Sequence, residues 1–462
     1  MRAVATSQPT ATDAGMRALE AGGNAADAAL AAAAALCVTE PMMTGPGGDA
    51  FAIVWTPDGR AEGLDASGPA PAGAPADAAL AIDGPTAVTV PGAVAGWAAL
   101  AERHGRLGLD RALRDAIDLA DDGFEVQPRC ASYWQQAPKL PDGYAPAPQT
   151  GDWVRLPALG ESLRAVAEQG PDAFYRGPIA RAIAAASWLE EDDLAGYAPR
   201  WVEPLRGTYR NVAVLELPPP TQGIAALEGL ALLEGFEPTL PAQVACVRLA
   251  LADAFERVRD GAEVRDLLDP AFLERRRDAV TPVLTEPQGS TVYLCALDDD
   301  GTAVSYIQSL FEGFGAGLEA PGTGVVLHNR GAGFAVGGKV EPGRRPYHTI
   351  ITGLLLTAEG ALLGPFGVMG GFFQAQGHLQ LVSALVDDGL DPQAALERPR
   401  FRVDGDQVAL EPALAERAAE LPGAYVDTDV RRFGGGQAIV VDADGSVSAG
   451  SDPRKDGYAA VA

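Results

Sequence analysis

Lysine is almost missing from this chain: of 462 residues only Lys139, Lys339 and Lys455 are lysines, so positive charge rests on arginine. With 35 basic against 62 acidic residues, the formal charge is −27. Such a surface repels phosphate backbones and anionic lipid, so neither a nucleic acid nor a membrane is an expected partner. Cysteine is scarce too. Cys37, Cys130, Cys246 and Cys295 stand far apart without a CxxC pair, which argues against a disulfide framework or a cysteine zinc site and leaves each a small buried hydrophobe. His104, His328, His348 and His378 show no metal-ligand spacing, and no metal site is visible. Long apolar runs are absent. The alanine-rich stretch from Ala25 to Val38 contains Asp27 and falls short of the roughly 20 residues that cross a bilayer. The amino terminus has no basic region followed by an apolar core and cleavage site, so a cytoplasmic protein is the expectation.

What the chain does have is apolar bulk, 47% against 21% charged, enough for a large core. Length alone suggests two to four domains. Helix and strand signals alternate up to Cys130. A helix from Thr10 to Glu20 ends at Gly22-Gly23, Asn24 caps the alanine-rich helix, and Phe51 to Trp55 pairs with Glu62 to Asp65 about Pro57-Asp58-Gly59. A strand is expected from Ala87 to Val90 and a helix from Leu109 to Asp122. Residues 105–200 read mainly as helices, followed by a strand at Val212 to Leu217 and helices at Gly223 to Leu233 and Pro241 to Arg259. Thr281 to Ser290 contains proline and glycine without a hydrophobic period and reads as an exposed linker. A β pattern follows: Thr291 to Leu297, an acidic turn at Asp298-Asp299-Asp300-Gly301, then Ala303 to Leu310. Further strands fit Val325 to Leu327, Tyr347 to Leu356 and Gln437 to Val441.

Two places carry chemistry, each with a plain structural alternative. Thr291 opens a strand just after Gly289-Ser290. It reads as an ordinary β-branched strand starter or as an amino-terminal nucleophile. Freed by cleavage of the preceding peptide bond, a threonine owns a hydroxyl and an α-amine of pKa about 7.7 that can take the hydroxyl proton. Gly370-Gly371, between a strand and a helix from Gln374, reads as a tight turn or as two backbone N–H groups facing a developing oxyanion. Gly45-Pro46-Gly47-Gly48-Asp49 lacks the Gly-Lys-Ser/Thr ending of a phosphate loop, and nucleotide binding is rejected. The acidic turn at Asp298 lacks the downstream glutamate of a calcium loop.

Several blocks stand in order along nearly the whole chain. They are Ala5-Thr6-Ser7, Gly22-Gly23-Asn24-Ala25-Ala26-Asp27-Ala28, Gly45-Pro46-Gly47-Gly48-Asp49-Ala50-Phe51 and Val90-Pro91-Gly92. Asp193-Leu194-Ala195-Gly196-Tyr197 and Pro218-Pro219-Pro220-Thr221-Gln222-Gly223 follow. Thr291 before its Asp-Gly turn, Met369-Gly370-Gly371 and Ser451-Asp452-Pro453-Arg454-Lys455-Asp456-Gly457 complete them. Together they resemble the gamma-glutamyltranspeptidase family of N-terminal nucleophile hydrolases. The resemblance implies an α+β fold, a four-layer αββα sandwich, made as a precursor that cuts itself between Ser290 and Thr291. Segments 1–290 and 291–462 would stay associated. Thr291 would be the nucleophile, Ser309 the hydroxyl bonded to it, and Gly370 and Gly371 the oxyanion pair. The substrate would be a small-molecule amide, and no cofactor is implied.

The resemblance also marks Ser67, Tyr293, Phe311, Asn329, Arg330 and His348 as substrate-contacting positions, and several depart from the family pattern. Ser67 stands where classical members have an arginine for the α-carboxylate of the γ-glutamyl group. Phe311 replaces an asparagine, Gly333 the acid that holds the substrate amine, Arg330 a neutral residue, and His348-Thr349 paired serines. The stretch from Phe334 to Arg345 is too short for the flap that covers the site in many members. These changes resemble a divergent branch with cephalosporin-acylase-like and oxamate-amidohydrolase-like proteins. The expected activity is hydrolysis of glutathione or another γ-glutamyl amide, with acyl transfer, through an acyl-threonine. The alternatives are an acylase or amidohydrolase for another carboxylate-bearing amide (glutaryl, cephalosporin-like or oxamate-like) and a catalytically silent binding homologue.

Overall fold

In the computed structural model, which describes residues 1–75, 77–277 and 290–462, strands from both ends of the chain build two sheets. Ala3–Thr6 lies between Tyr458–Val461 and Ser290–Leu297. Beyond them come Ala303–Phe311, Asp49–Trp55, Ala61–Ala66 and Arg200–Val202, completing a seven-stranded antiparallel sheet. The second sheet has six strands in the order Val447–Ser451, Gly435–Val441, Leu362–Met369, Gly353–Thr357, Val212–Glu216 and Leu205–Tyr209, again antiparallel.

Strand alternation stacks the layers. Along Ser290–Leu297, Tyr293, Cys295 and Leu297 share a core with Leu215, Leu354 and Met369 of the second sheet. Their neighbours Val292, Leu294 and Ala296 face the other way, onto helices Pro9–Glu20 and Ala25–Thr39. In the second sheet Val214, Leu355, Phe366 and Val368 join helices Gly223–Leu233, Leu240–Arg257 and Phe373–Val386. Helix, sheet, sheet, helix: these are the four layers of an αββα sandwich. The small side chains of Ala25–Thr39 let it lie close to its sheet, and all 15 of its residues are buried. Its start is fixed reciprocally, with Asn24 Oδ1 accepting the Ala26 and Asp27 N–H groups and Asp27 accepting the Asn24 N–H.

One expected strand is not formed and another is shortened. At Ala87 to Val90 the chain ends a 3-10 turn, Pro85–Ala87, and its polar groups go to single partners rather than a ladder: Val90 N donates to Pro69 O, and His328 to Thr89 O. Residues 347–352 also run irregularly ahead of Gly353–Thr357, because their backbone is bonded crosswise. His348 N donates to Pro220 O at 2.8 Å, Ile351 N to Gln374 Oε1 at 2.9 Å, and Thr349 O accepts Gln222 Nε2 at 2.8 Å. The helix expected over Leu109 to Asp122 is two, Leu109–Ala112 and Arg114–Asp122. Of the linker expected over Thr281 to Ser290, residues 281–289 lie outside the described residues, and Ser290 belongs to the strand instead. Among the described residues no helix is long and apolar enough to cross a membrane, no cluster could hold a metal ion, and the four cysteines are buried and free.

Candidate active site

The pairing of Ser290–Leu297 with Ala303–Phe311 is regular as far as Val292 opposite Gln308, and then the register jumps so that Ser290 faces Phe311. Ser309 and Leu310 bulge opposite Thr291, and Phe311 takes a φ of +78°, a strained angle for an aromatic residue. The bulge aims the Ser309 hydroxyl at the start of the strand. Ser309 Oγ accepts Thr291 Oγ1–H at 3.2 Å and Phe311 N–H at 2.8 Å, and donates to the Ser290 carbonyl at 2.7 Å. One hydroxyl therefore touches both the threonine side chain and the carbonyl of the peptide bond before it. From the other side Gln374 Nε2 donates to Thr291 Oγ1 at 3.4 Å, with the Gln374 carbonyl held by Ile351 N.

Gly370 and Gly371 leave the strand Leu362–Met369 with φ of +128° and +63°, angles that glycine adopts freely and other residues rarely do. Gly371 O accepts Gln374 N at 3.1 Å and Gln222 Nε2 at 3.2 Å, so two glutamines brace the turn. Among the described residues the N–H groups of Gly370 and Gly371 donate to no protein acceptor. Two unpartnered amides, in a turn tied through Gln374 to a buried hydroxyl, are chemically able to donate to a developing oxyanion.

Behind the bulge lies a group of buried charges. Asp49 accepts Gly68 N, Gly92 N and, at 2.9 Å, His348 Nε2–H, while His328 Nδ1 stands 3.3 Å away. Burial opposes its ionisation, yet the two imidazoles hold the Asp49 carboxyl well below the usual range. Burial, together with the nearby Arg330 charge, drops His348 to about 3, so its ring is neutral. Its Nδ1 has no partner among the described residues. Arg330 is 1% exposed; Nη1 donates to Thr349 Oγ1 at 3.0 Å and the guanidinium lies 4.1 Å over the Phe311 ring. Among the described residues its Nε and Nη2 have no partner. Burial lowers the guanidinium to about 9, with Asp49 and Glu312 offsetting only part of the effect.

Thr291, Ser309 and the Gly370-Gly371 turn are thus brought together, with Phe311 bonded to Ser309, Arg330 stacked on Phe311 and His348 buried nearby. Three residues expected to touch a substrate have their polar groups engaged inside the protein. Tyr293 stands two residues deeper along the strand, its hydroxyl 2.8 Å from Ser305 Oγ and its ring against Gly367, where a Cβ would come within 2.3 Å of it. The Asn329 amide is taken by Glu312 and Ile82. Ser67 donates to Asp65 Oδ1 at 2.5 Å, and its carbonyl accepts Arg345 Nε and Tyr197 OH. Gln374 and Gln222 were not legible as site residues, because only their neighbours in space give them a role, and Thr349 was marked only through the resemblance. A cleft of about 360 Å³ opens beside Ser290, lined by Met42, Tyr133, Pro138, Glu312 and Arg431 among others. The short stretch from Phe334 to Arg345 covers none of it: Phe334 and Val340 pack on Ala70 and Ala74, and Gly343 N donates to Ala70 O.

A hydroxyl at a strand start and a two-amide turn, held on an αββα frame, define the N-terminal-nucleophile amidohydrolases. Comparison with known proteins narrows the class: residues 11–462 match gamma-glutamyltranspeptidase, and the chain belongs to that family. It is 30% identical to the glutathione hydrolase-like YwrD proenzyme of Bacillus subtilis (strain 168), over 97% of this chain and 96% of that protein. The oxamate amidohydrolase proenzyme of Klebsiella pneumoniae is 31% identical over 96% of this chain and 95% of its own length. Among solved structures, cephalosporin acylase from Bacillus halodurans is similar at a TM-score of 0.92 and 40% identity, covering 99% of this chain and 95% of that one.

Proposed function

We propose that the chain matures by cutting itself between Ser290 and Thr291 and then hydrolyses small-molecule amides through an acyl-threonine. The observation that carries this is the Ser309 hydroxyl, bonded at once to Thr291 Oγ1 and to the Ser290 carbonyl. Thr291 Oγ1 attacks that carbonyl carbon, whose oxygen Ser309 polarises. The C–N bond breaks, the hydroxyl proton passes to the departing nitrogen, and an ester remains. Water then splits the ester into a Ser290 carboxylate and a Thr291 with a free amine. In turnover this amine, of pKa about 7.7 when unperturbed, takes the hydroxyl proton as Thr291 attacks the substrate carbonyl. Gly370 and Gly371 N–H groups receive the oxyanion, the amine returns the proton to the leaving group, and water or an acceptor amine releases the acyl group. Segments 1–290 and 291–462 remain one folded unit.

A γ-glutamyl amide such as glutathione is the substrate that the family and the YwrD relative suggest. A second reading, an amide of another carboxylate-bearing acid, is favoured by positions 67 and 333. Ser67 offers no cation. An acid at Gly333 is sterically refused, since a Cβ there would lie 2.3 Å from Tyr347 O. Intact mass tests the chemistry. Wild type should give two chains and Thr291→Ala a single chain of 47.7 kDa, with Thr291→Ser cut more slowly. An alanine variant that splits like wild type overturns Thr291 as nucleophile, and a wild type that neither splits nor forms an acyl-enzyme would be a silent binding homologue.

A further inference from the structure

The second sheet comes apart just before the Gly370-Gly371 turn, and side chains hold it open. Gly353–Thr357 pairs with Leu362–Met369 through Leu355 opposite Gly364, Leu354 opposite Pro365 and Gly353 opposite Phe366, where the pairing stops. The same register would set Ile351 opposite Val368. Both give their N–H groups to one helix instead: Ile351 N donates to Gln374 Oε1 at 2.9 Å and Val368 N to His378 Nε2 at 3.1 Å. Gln374 and His378 stand one turn apart on the same face of Phe373–Val386, and both are fully buried. Gly377 lets the helix come close, since a Cβ there would lie 2.7 Å from Val368 Cγ1.

Only Met369 separates Val368 from Gly370, so whatever holds Val368 N guides the chain as it leaves the sheet. A backbone N–H can only donate. His378 Nε2 therefore accepts, and the ring proton sits on Nδ1, 2.6 Å from Glu216 Oε1. Glu216 is itself fully buried, and its Oε2 has no partner among the described residues. A buried acid is costly to keep, and its bond to Nδ1 selects the ring form that can accept from Val368. The other neutral form, with hydrogen on Nε2, would set donor against donor, and a buried N–H without an acceptor turns its peptide to find one.

We infer that His378 is a positioning residue: by accepting the Val368 N–H it sets where the strand leaves the sheet, and so the aim of the Gly370 and Gly371 amides, with Glu216 fixing the tautomer. This rests on the reading of that turn as the oxyanion donor.

Two amide side chains separate the two bonds of the ring. A glutamine reaches the place of Nε2 and can accept from Val368; an asparagine reaches only the place of Nδ1 and keeps Glu216 alone. The test measures kcat, KM and Tm of wild type, His378→Gln and His378→Asn on whichever of the γ-glutamyl and glutaryl p-nitroanilides wild type turns over faster. His378→Gln should stay within about threefold of wild type, and His378→Asn should lose about 100-fold in kcat with KM little changed, because the oxyanion forms only in the transition state. Both should still give two chains, since Ser309 rather than the turn holds the Ser290 carbonyl. An asparagine variant with wild-type kcat, or a glutamine variant as slow as the asparagine one, overturns the positioning role. Should His378→Asn not fold, His378→Met, which fills the space without a comparable acceptor, takes its place. Gly371→Val in the same assay keeps the two readings apart. If it is slow while His378→Asn is fast, only the role of His378 falls; if it is as fast as wild type, or wild type is uncut and inert, the reading of the turn falls and this inference with it.

Discussion

At Gly371 the backbone sits at φ +63°, where a β-branched side chain is an outlier. Gly371→Val therefore has to turn its peptide, and with it the N–H that we propose receives the oxyanion. We expect kcat to fall about 100-fold or more in a folded, two-chain protein, the scale of losing one oxyanion donor. Wild-type turnover would remove this turn from the mechanism. His348 makes a different prediction. Burial pulls its folded pKa to about 3, against about 6.5 in the unfolded chain. Between those values the unfolded chain binds a proton that the folded one refuses, so the contribution of His348 to stability is present above about pH 6.5 and is lost as pH falls toward 3. Asp49, held low, acts with the same sign, while Glu216 and Glu228, raised by burial, act with the opposite one. The measurement is accordingly a difference: from about pH 6.5 to 4, Tm should fall less steeply in His348→Gln than in wild type. Equal slopes would show that the ring is protonated in the fold.

Among the elements, the helix Ala25–Thr39 depends on its first turn. Asn24→Ala deletes the side-chain half of the reciprocal cap and should cost about 1 kcal/mol, visible by calorimetry as a lower Tm with kcat unchanged. An unchanged Tm would mean that burial alone holds this end. The cap was legible in the sequence because Gly22-Gly23-Asn24 ahead of an alanine-rich run is a local signal, as are the strand starting at Thr291 and the hairpin about Pro57-Asp58-Gly59. Residues 347–352 were misread for the opposite reason. Their β-branched, apolar character spells a strand, but Pro220, Gln222 and Gln374, all distant in sequence, take their backbone groups. The same non-local register puts Gln374 on Thr291 and His378 on Val368, so neither could be read beforehand. Resemblance located Tyr293, Asn329 and Ser67 but could not tell that Ser305, Glu312 and Asp65 engage them.

At the scale of the molecule, the two segments are interleaved. Ala3–Thr6 runs between two strands that follow the proposed cut, and Val212–Glu216 pairs with Gly353–Thr357, so neither segment can leave without opening both sheets. The outermost of these pairings also brings the ends of the chain side by side: Arg2 and Ala462 exchange two backbone hydrogen bonds of 2.9 Å. A short linker from 462 to 1, with a new opening at Thr291, would give a circular permutant with every strand in its present place. Once its initiator methionine is removed, this protein begins with the nucleophile and has no internal bond to cut. It should hydrolyse anilides without processing, and a permutant that folds but stays inert would show that self-cleavage does more than free an amine. Adding Ser309→Ala to the permutant would then measure what that hydroxyl contributes to turnover, free of its part in maturation.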